Sequence, residues 1–138
     1  MTKLFSIKKK YSDKIFNKQK LVEFRRQNVN VCINETCLIY TSFPIKKVTG
    51  YFIVKKKIRA HILKLWDITK RYAGISFEEF KKYFEGCKIG TAIIFKLVKR
   101  FKEAFDLDKI RKRIKEFRPP QSYCNLDNRL LNYFGKYI

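Results

Sequence analysis

Lys18-Gln19-Lys20-Leu21-Val22-Glu23-Phe24-Arg25 is the stretch on which the reading of this chain turns. From Lys20 to Arg26 the residues alternate in the manner of a strand. Glu23 and Arg25, two apart, project from the same side of an extended backbone. Lys20 is three residues before Glu23 and shares their side only from a turn that precedes the strand. An acid between two cations is either a structural ion pair at the end of a sheet or a polar group kept for a ligand, and both readings stand at this stage. A carboxylate accepts from an exocyclic amine such as that of cytosine, and Arg binds phosphate or guanine.

Outward from this stretch, apolar runs alternate with helical patterns. Upstream, Leu4–Ile7 reads as a strand. A short helix follows over 9–17, with Tyr11, Ile15 and Phe16 on one side. Downstream, 27–34 is polar and Asn-rich, hence a loop, and Thr36–Thr41 reads as a buried strand broken by Ser42-Phe43-Pro44. Residues 48–58 form the next strand, which puts Lys55, Lys56 and Lys57 at its far end. Ala60–Tyr72 is expected to be a helix with Ile62, Leu65, Trp66, Thr69 and Tyr72 on its apolar side, stopped by Gly74. Ser76-Phe77-Glu78-Glu79 is a capping box that starts a helix over 77–84. A long strand is expected over 88–101 and a helix over 106–117, the latter apolar at Leu107, Ile110, Ile114 and Phe117, basic elsewhere, and closed by Pro119-Pro120. Residues 126–134 form a last short helix or strand. Mixed elements without regular βαβ alternation argue an α+β fold.

The chain has 138 residues, one domain's worth, so 1–138 is read as a single domain. It carries 33 Lys and Arg against 12 Asp and Glu, a net charge of +21. The excess is +8, +9 and +4 over 1–50, 51–100 and 101–138, so a folded body rather than a tail bears it. A polyanion is the natural partner, with RNA foremost, single-stranded DNA as a second possibility, and no membrane. The opposing reading is compositional: Lys, Ile, Phe, Tyr and Asn make up 68 residues, the bias of an AT-rich coding sequence. That bias does not account for the scarcity of acids. An aromatic content of 16% sets the chain apart from disordered basic tails. No apolar run reaches the ~18 residues of a membrane span, and no secretory signal is visible at the start, so a cytoplasmic location is expected.

Motifs that would carry other chemistries are missing. Cys32, Cys37, Cys87 and Cys124 include no C-x₂-C pair, and His61 is the single histidine, so no metal and no organic cofactor is expected. The cysteines read as reduced, buried or half-buried thiols. Five glycines leave no phosphate-cradling loop.

The order of the segments resembles the ASCH domains of the PUA-like superfamily. Lys20-x-x-Glu23-x-Arg25 is similar to their G-x-K-x-x-E-x-R motif, with Lys18 where glycine is usual. Leu38-Ile39-Tyr40-Thr41-Ser42, then Pro44, then Lys47-Val48-Thr49-Gly50-Tyr51-Phe52 resembles the family's second and third strands, with Asn34-Glu35 in place of Gly-Asp ahead of them. Trp66, Tyr72-Ala73-Gly74-Ile75-Ser76, Glu79-Phe80-x-x-Tyr83-Phe84-x-Gly86, Ala92-Ile93 and Pro119-Pro120-Gln121-Ser122 resemble small archaeal and phage members. The resemblance covers residues 4–123. It implies a small β-barrel decorated with helices and a cleft for RNA or a nucleobase, and points to a role in regulation of transcription or translation. The residues it points to are Lys20, Glu23, Arg25, Lys8, Tyr40, Ser42, Gln121 and Ser122. Phosphate contacts are expected from Lys55, Lys56, Lys57, Arg111, Lys112 and Arg113. The alternative is a small hydrolase of the same superfamily, an N4-acetylcytidine amidohydrolase or a ribonuclease, with Lys20 and Glu23 as catalytic groups; binding without catalysis is the reading preferred here.

Overall fold

The computed structural model describes residues 2–138. Its elements run β1 (Lys3–Ile7), α1 (Lys9–Phe16), β2 (Val22–Arg25), β3 (Thr36–Thr41), β4 (Lys47–His61), α2 (Ile62–Thr69), α3 (Phe77–Tyr83), β5 (Ile89–Asp106), α4 (Leu107–Arg111), β6 (Tyr123–Asn125) and α5 (Asn128–Gly135). The six strands form one sheet in the order β2-β5-β4-β3-β1-β6. Only β1 and β3 pair in parallel; the remaining ladders are antiparallel. This is an α+β architecture whose sheet curls into a half-barrel. Register breaks between Val48 and Gly50 and around Val54 let the two long strands bend.

Three apolar clusters follow from the alternation of side chains along the strands. Phe5, Ile7, Ile39, Phe52 and Ile93 fill one. Val22, Phe24, Ala92 and Ile94, on the other side of β2 and β5, are covered by Leu65 of α2 and by Phe80 and Phe84 beside Trp66. Leu38, Tyr40, Phe105, Ile110 and Phe134 form the third, beneath α4 and α5. Gly50 lies where α1 crosses the sheet: a Cβ there would run into the Phe16 ring and the Lys99 carbonyl.

Strands β4 and β5 are longer, β2 is shorter than the expected 20–26, and the helices are shorter than the sequence pattern suggested. Ala60 and His61 belong to β4, because the ladder with β5 continues through His61↔Ile89. His61 instead caps α2, its Nδ1 accepting from the Leu63 amide at 3.2 Å. Lys55, Lys56 and Lys57 therefore lie within β4 rather than at its end. Strand β5 extends to Asp106, paired with Lys47, and the helix expected to reach Phe117 stops at Arg111. Its apolar residues are buried all the same: Ile110, Ile114 and Phe117 sit in the third cluster, and Arg111 Nε donates to the Phe117 carbonyl at 3.0 Å. Strand β6 was not expected; three residues are too few to show a period. All four cysteines are free, and Cys32 is exposed rather than buried.

Candidate functional site

The turn that delivers Lys20 is built from a strained residue. Lys18 has φ = 63°, the left-handed region that glycine adopts freely. The turn of the G-x-K motif thus survives without its glycine. The other departure is met in the same way: Asn34 takes φ = 69°, which Asn tolerates better than most residues. Glu35 then turns inward to an ion pair with Lys3, 3.0 Å, and accepts from the Cys32 amide at 3.0 Å.

Lys20 enters a cavity of about 190 Å³, lined by Lys8, Tyr11, Lys20, Glu23, Arg25 and Tyr83, among others. Lys20 is 2% exposed. Its Nζ donates to the Ala73 carbonyl at 3.3 Å and lies 4.5 Å from the Phe24 ring centroid. Burial pushes its pKa down to about 8, against the opposing pull of the Glu23 carboxylate. Gly74, at φ = 68°, packs against the base of the Lys20 side chain, and a Cβ there would press on the Cβ of Lys20 and the Gln19 carbonyl. The Lys14 ammonium ties this segment to α1 by donating to the Gly74 carbonyl at 2.8 Å.

Glu23 and Arg25 share a side of β2, as their spacing required. Arg25 Nε and Nη2 both reach Glu23 Oε2, at 2.9 and 2.7 Å. Arg25 Nη1 donates to the Ser122 hydroxyl at 2.8 Å, and Nη2 to the Ser6 carbonyl at 3.0 Å. The guanidinium is thereby saturated by protein. Among the described residues Glu23 Oε1 has no hydrogen-bond partner, and no buried side-chain oxygen is left unpartnered, so Oε1 opens to the cavity. Tyr83 completes the wall; its hydroxyl donates to the Phe24 carbonyl at 3.0 Å, and burial raises its pKa. The site therefore presents one free carboxylate oxygen, one desolvated ammonium and two aromatic rings. Lys8 stands exposed at the rim.

The other residues singled out in the sequence lie elsewhere. Ser122 joins the site through Arg25, whereas Gln121 is exposed beside it. Ser42 donates to the Ile7 carbonyl from its amide, behind the cavity wall. Tyr40, 4% exposed, points to the opposite cluster and lines a separate cleft of about 660 Å³ with Lys46, Arg111, Lys115 and Arg118. Glu116, also on this cleft, is ion-paired to Arg129. Lys112 and Arg113 are exposed and outside it. Lys55 and Lys56 are exposed on β4, and Lys57 is half-buried. Sequence reading missed Tyr11 and Tyr83 as site residues. Tyr11 has the spacing of an ordinary helix-face aromatic, and nothing local in Glu79-Phe80-x-x-Tyr83-Phe84 marks Tyr83 as more than a packing residue.

A curled mixed sheet with helices on its flanks and a polar cavity at the mouth, reached from the first helix and second strand, is the PUA-like fold. In sequence and in structure the chain is similar to ASCH-domain proteins of that fold. No protein-family model matches it. An ASCH domain-containing ribonuclease of Zymomonas mobilis subsp. mobilis is 27% identical over 119 residues, 86% of this chain and 80% of that one. The crystal structure of ASCH from Zymomonas mobilis superposes with a TM-score of 0.86 at 25% identity, covering 95% of this chain and 94% of that one. A tyrosine-to-phenylalanine mutant of the Zymomonas protein gives 0.90 at 24% identity, covering 98% and 96%. The N-terminal domain of Staphylothermus marinus McrB shares the fold at 10% identity and a TM-score of 0.62, covering 98% and 93%.

Proposed function

We propose that this protein binds single-stranded RNA by holding one unstacked base in the Glu23 cavity and adjacent phosphates on the cleft of Lys46, Arg111, Lys115 and Arg118. The observation that carries this reading is the orientation of Glu23: Arg25 fixes Oε2 and leaves Oε1 facing the cavity as an acceptor. An acceptor there favours a base with an exocyclic amine, cytosine over uracil. Tyr11 and Tyr83 offer ring faces to the same base. Pro119 borders the cleft and Ser122 adjoins the cavity, three Cα steps or at most ~11 Å apart, so neighbouring nucleotides span both. The RNA-related name of the Zymomonas relative supports the partner class.

The test is binding of single-stranded RNA, structured RNA and duplex DNA across a salt series, with wild type beside Glu23→Gln. A steep salt slope with a ligand preference that Glu23→Gln abolishes is expected. Equal weak binding to all three, unchanged by Glu23→Gln, would leave only a non-specific positive surface.

A second reading, RNA cleavage, is favoured by Lys20, whose pKa near 8 leaves part of the amine neutral at neutral pH. In it, Lys20 Nζ takes the proton of a 2′-hydroxyl. Cleavage that rises through pH 8 and is lost in Lys20→Met supports this reading; intact RNA at every pH excludes it.

A further inference from the structure

We infer that the distal half of β5 carries a second stacking groove for the same RNA strand, an inference that rests on RNA being the ligand. The groove, about 630 Å³, is lined by Tyr51, Lys99, Arg100, Lys102, Lys109 and Tyr137, together with other residues of β5. Four of these six are cations. The one acidic side chain on the groove, Glu103, stands 3.9 Å from Lys109 and is largely in water, and four cations outweigh it together with the carboxylate of Ile138, so the field over the groove remains positive.

Its second feature is aromatic. Tyr137 is 48% exposed, yet its ring is not loose. It packs edge-on against Phe105, with centroids 4.7 Å apart, and more distantly against Phe101 at 6.4 Å. Its amide donates to the Phe134 carbonyl at 2.9 Å. Two phenylalanines that are themselves buried hold the ring, and one part of it is open beside lysines. A supported aromatic face within a cationic rim suits a stacked base with its phosphate alongside, which is how sequence-tolerant single-strand contacts are made. An acidic protein would match the charge but gives no reason for an ordered, half-open ring.

The groove is well removed from the Glu23 cavity. Glu23 pairs with Ile93 of β5, and Arg100 lies seven residues further along that bent strand, at most roughly 23 Å at the usual rise. A stacked strand of about seven nucleotides covers that distance at ~3.4 Å each. The two sites then act as linked contacts, and affinity depends on length.

The experiment measures binding of a tetranucleotide and of a roughly 12-nucleotide single-stranded RNA by fluorescence anisotropy. Wild type is compared with Tyr137→Ala, Tyr137→Phe, the double variant Lys99→Ala/Lys102→Ala, and Glu23→Gln; circular dichroism checks that each variant is folded. Expected is about tenfold weaker binding of the longer RNA by Tyr137→Ala and by the double variant, with the tetranucleotide unaffected and Tyr137→Phe like wild type. Unchanged binding of the longer RNA by both overturns the groove. Polyglutamate binding as tightly as RNA, with Tyr137→Ala neutral, overturns it in favour of an acidic protein partner. Glu23→Gln separates the two proposals: if it is neutral while Tyr137→Ala is not, the cavity reading fails and the groove stands.

Discussion

Arg25 Nη1 donates to the Ser122 hydroxyl at 2.8 Å across 97 residues of chain. The contact joins β2, one end of the sheet order, to the segment that enters β6, the other end. A backbone ladder closes a full barrel; here one guanidinium spans the gap and at the same time orients Glu23.

Arg25 is consequently a stability residue first. Arg25→Ala leaves the Glu23 carboxylate buried and unpaired, which costs roughly 3 kcal/mol or more. Arg25→Lys restores the charge but not the fork that serves Glu23, Ser6 and Ser122, so it recovers less than half of the loss. Urea denaturation of the three proteins checks both statements. Full recovery in Arg25→Lys would show that charge alone matters.

Lys20 makes stability depend on pH. Its native pKa of about 8 lies below its ordinary 10.5. Below pH 8 both native and unfolded states hold the proton, and the cost of burying the ammonium, on the order of 3 kcal/mol, is present in full. Between the two values the unfolded chain binds a proton that the native protein does not, so stability rises with pH. Lys20→Met should be the more stable protein at pH 7, with its advantage shrinking as pH climbs from 8 past 10.5. Paired thermal melts over that range read the difference; a gap independent of pH would contradict the burial of a charged Lys20.

Lys18 offers a gain. Replacing a left-handed lysine by glycine relieves about 1 kcal/mol of backbone strain, offset in part by the greater freedom of the unfolded chain. Lys18→Gly is expected to stabilise by about 0.5 kcal/mol and to leave RNA binding intact. A destabilised variant would mean that the Lys18 side chain contributes something beyond the turn.

The basic cleft predicts a counterion effect. Lys115→Ala/Arg118→Ala should lower the slope of log K against log salt by about 1.4 for single-stranded RNA, close to 0.7 for each lost phosphate contact. Discrimination between bases should stay as it is, because phosphate contacts position without specifying. An unaltered slope would remove the cleft from the RNA path.

Most of the fold was legible where side-chain period and cap chemistry agree. Thr36–Thr41 as a strand and Ser76 as the cap of α3 follow from local residues, and the Ser76 hydroxyl accepts from the Glu79 amide as the box requires. The errors cluster where partners far along the chain decide. Ala60 and His61 look helical alone but are held by Gly90 and Ile89 in the ladder. The helix expected to Phe117 is interrupted because Ile114 and Phe117 reach the core from turns instead. At the site, the Glu23–Arg25 side was readable from the strand period. The burial of Lys20 was not, since it depends on Ala73 and Gly74, more than fifty residues away. Nor was the separation of Tyr40 from Glu23, which only the curl of the sheet determines.

The proposed function places an amine of a base on Glu23 Oε1. NMR of ¹³C-labelled protein, following the Glu23 side-chain carboxyl signal during titration with cytidine and with uridine monophosphate, addresses it without any mutation. A saturable shift with cytidine monophosphate and none with uridine monophosphate is the predicted result. An unmoved Glu23 signal with both nucleotides, while lysine signals of the basic cleft respond to both, would contradict it.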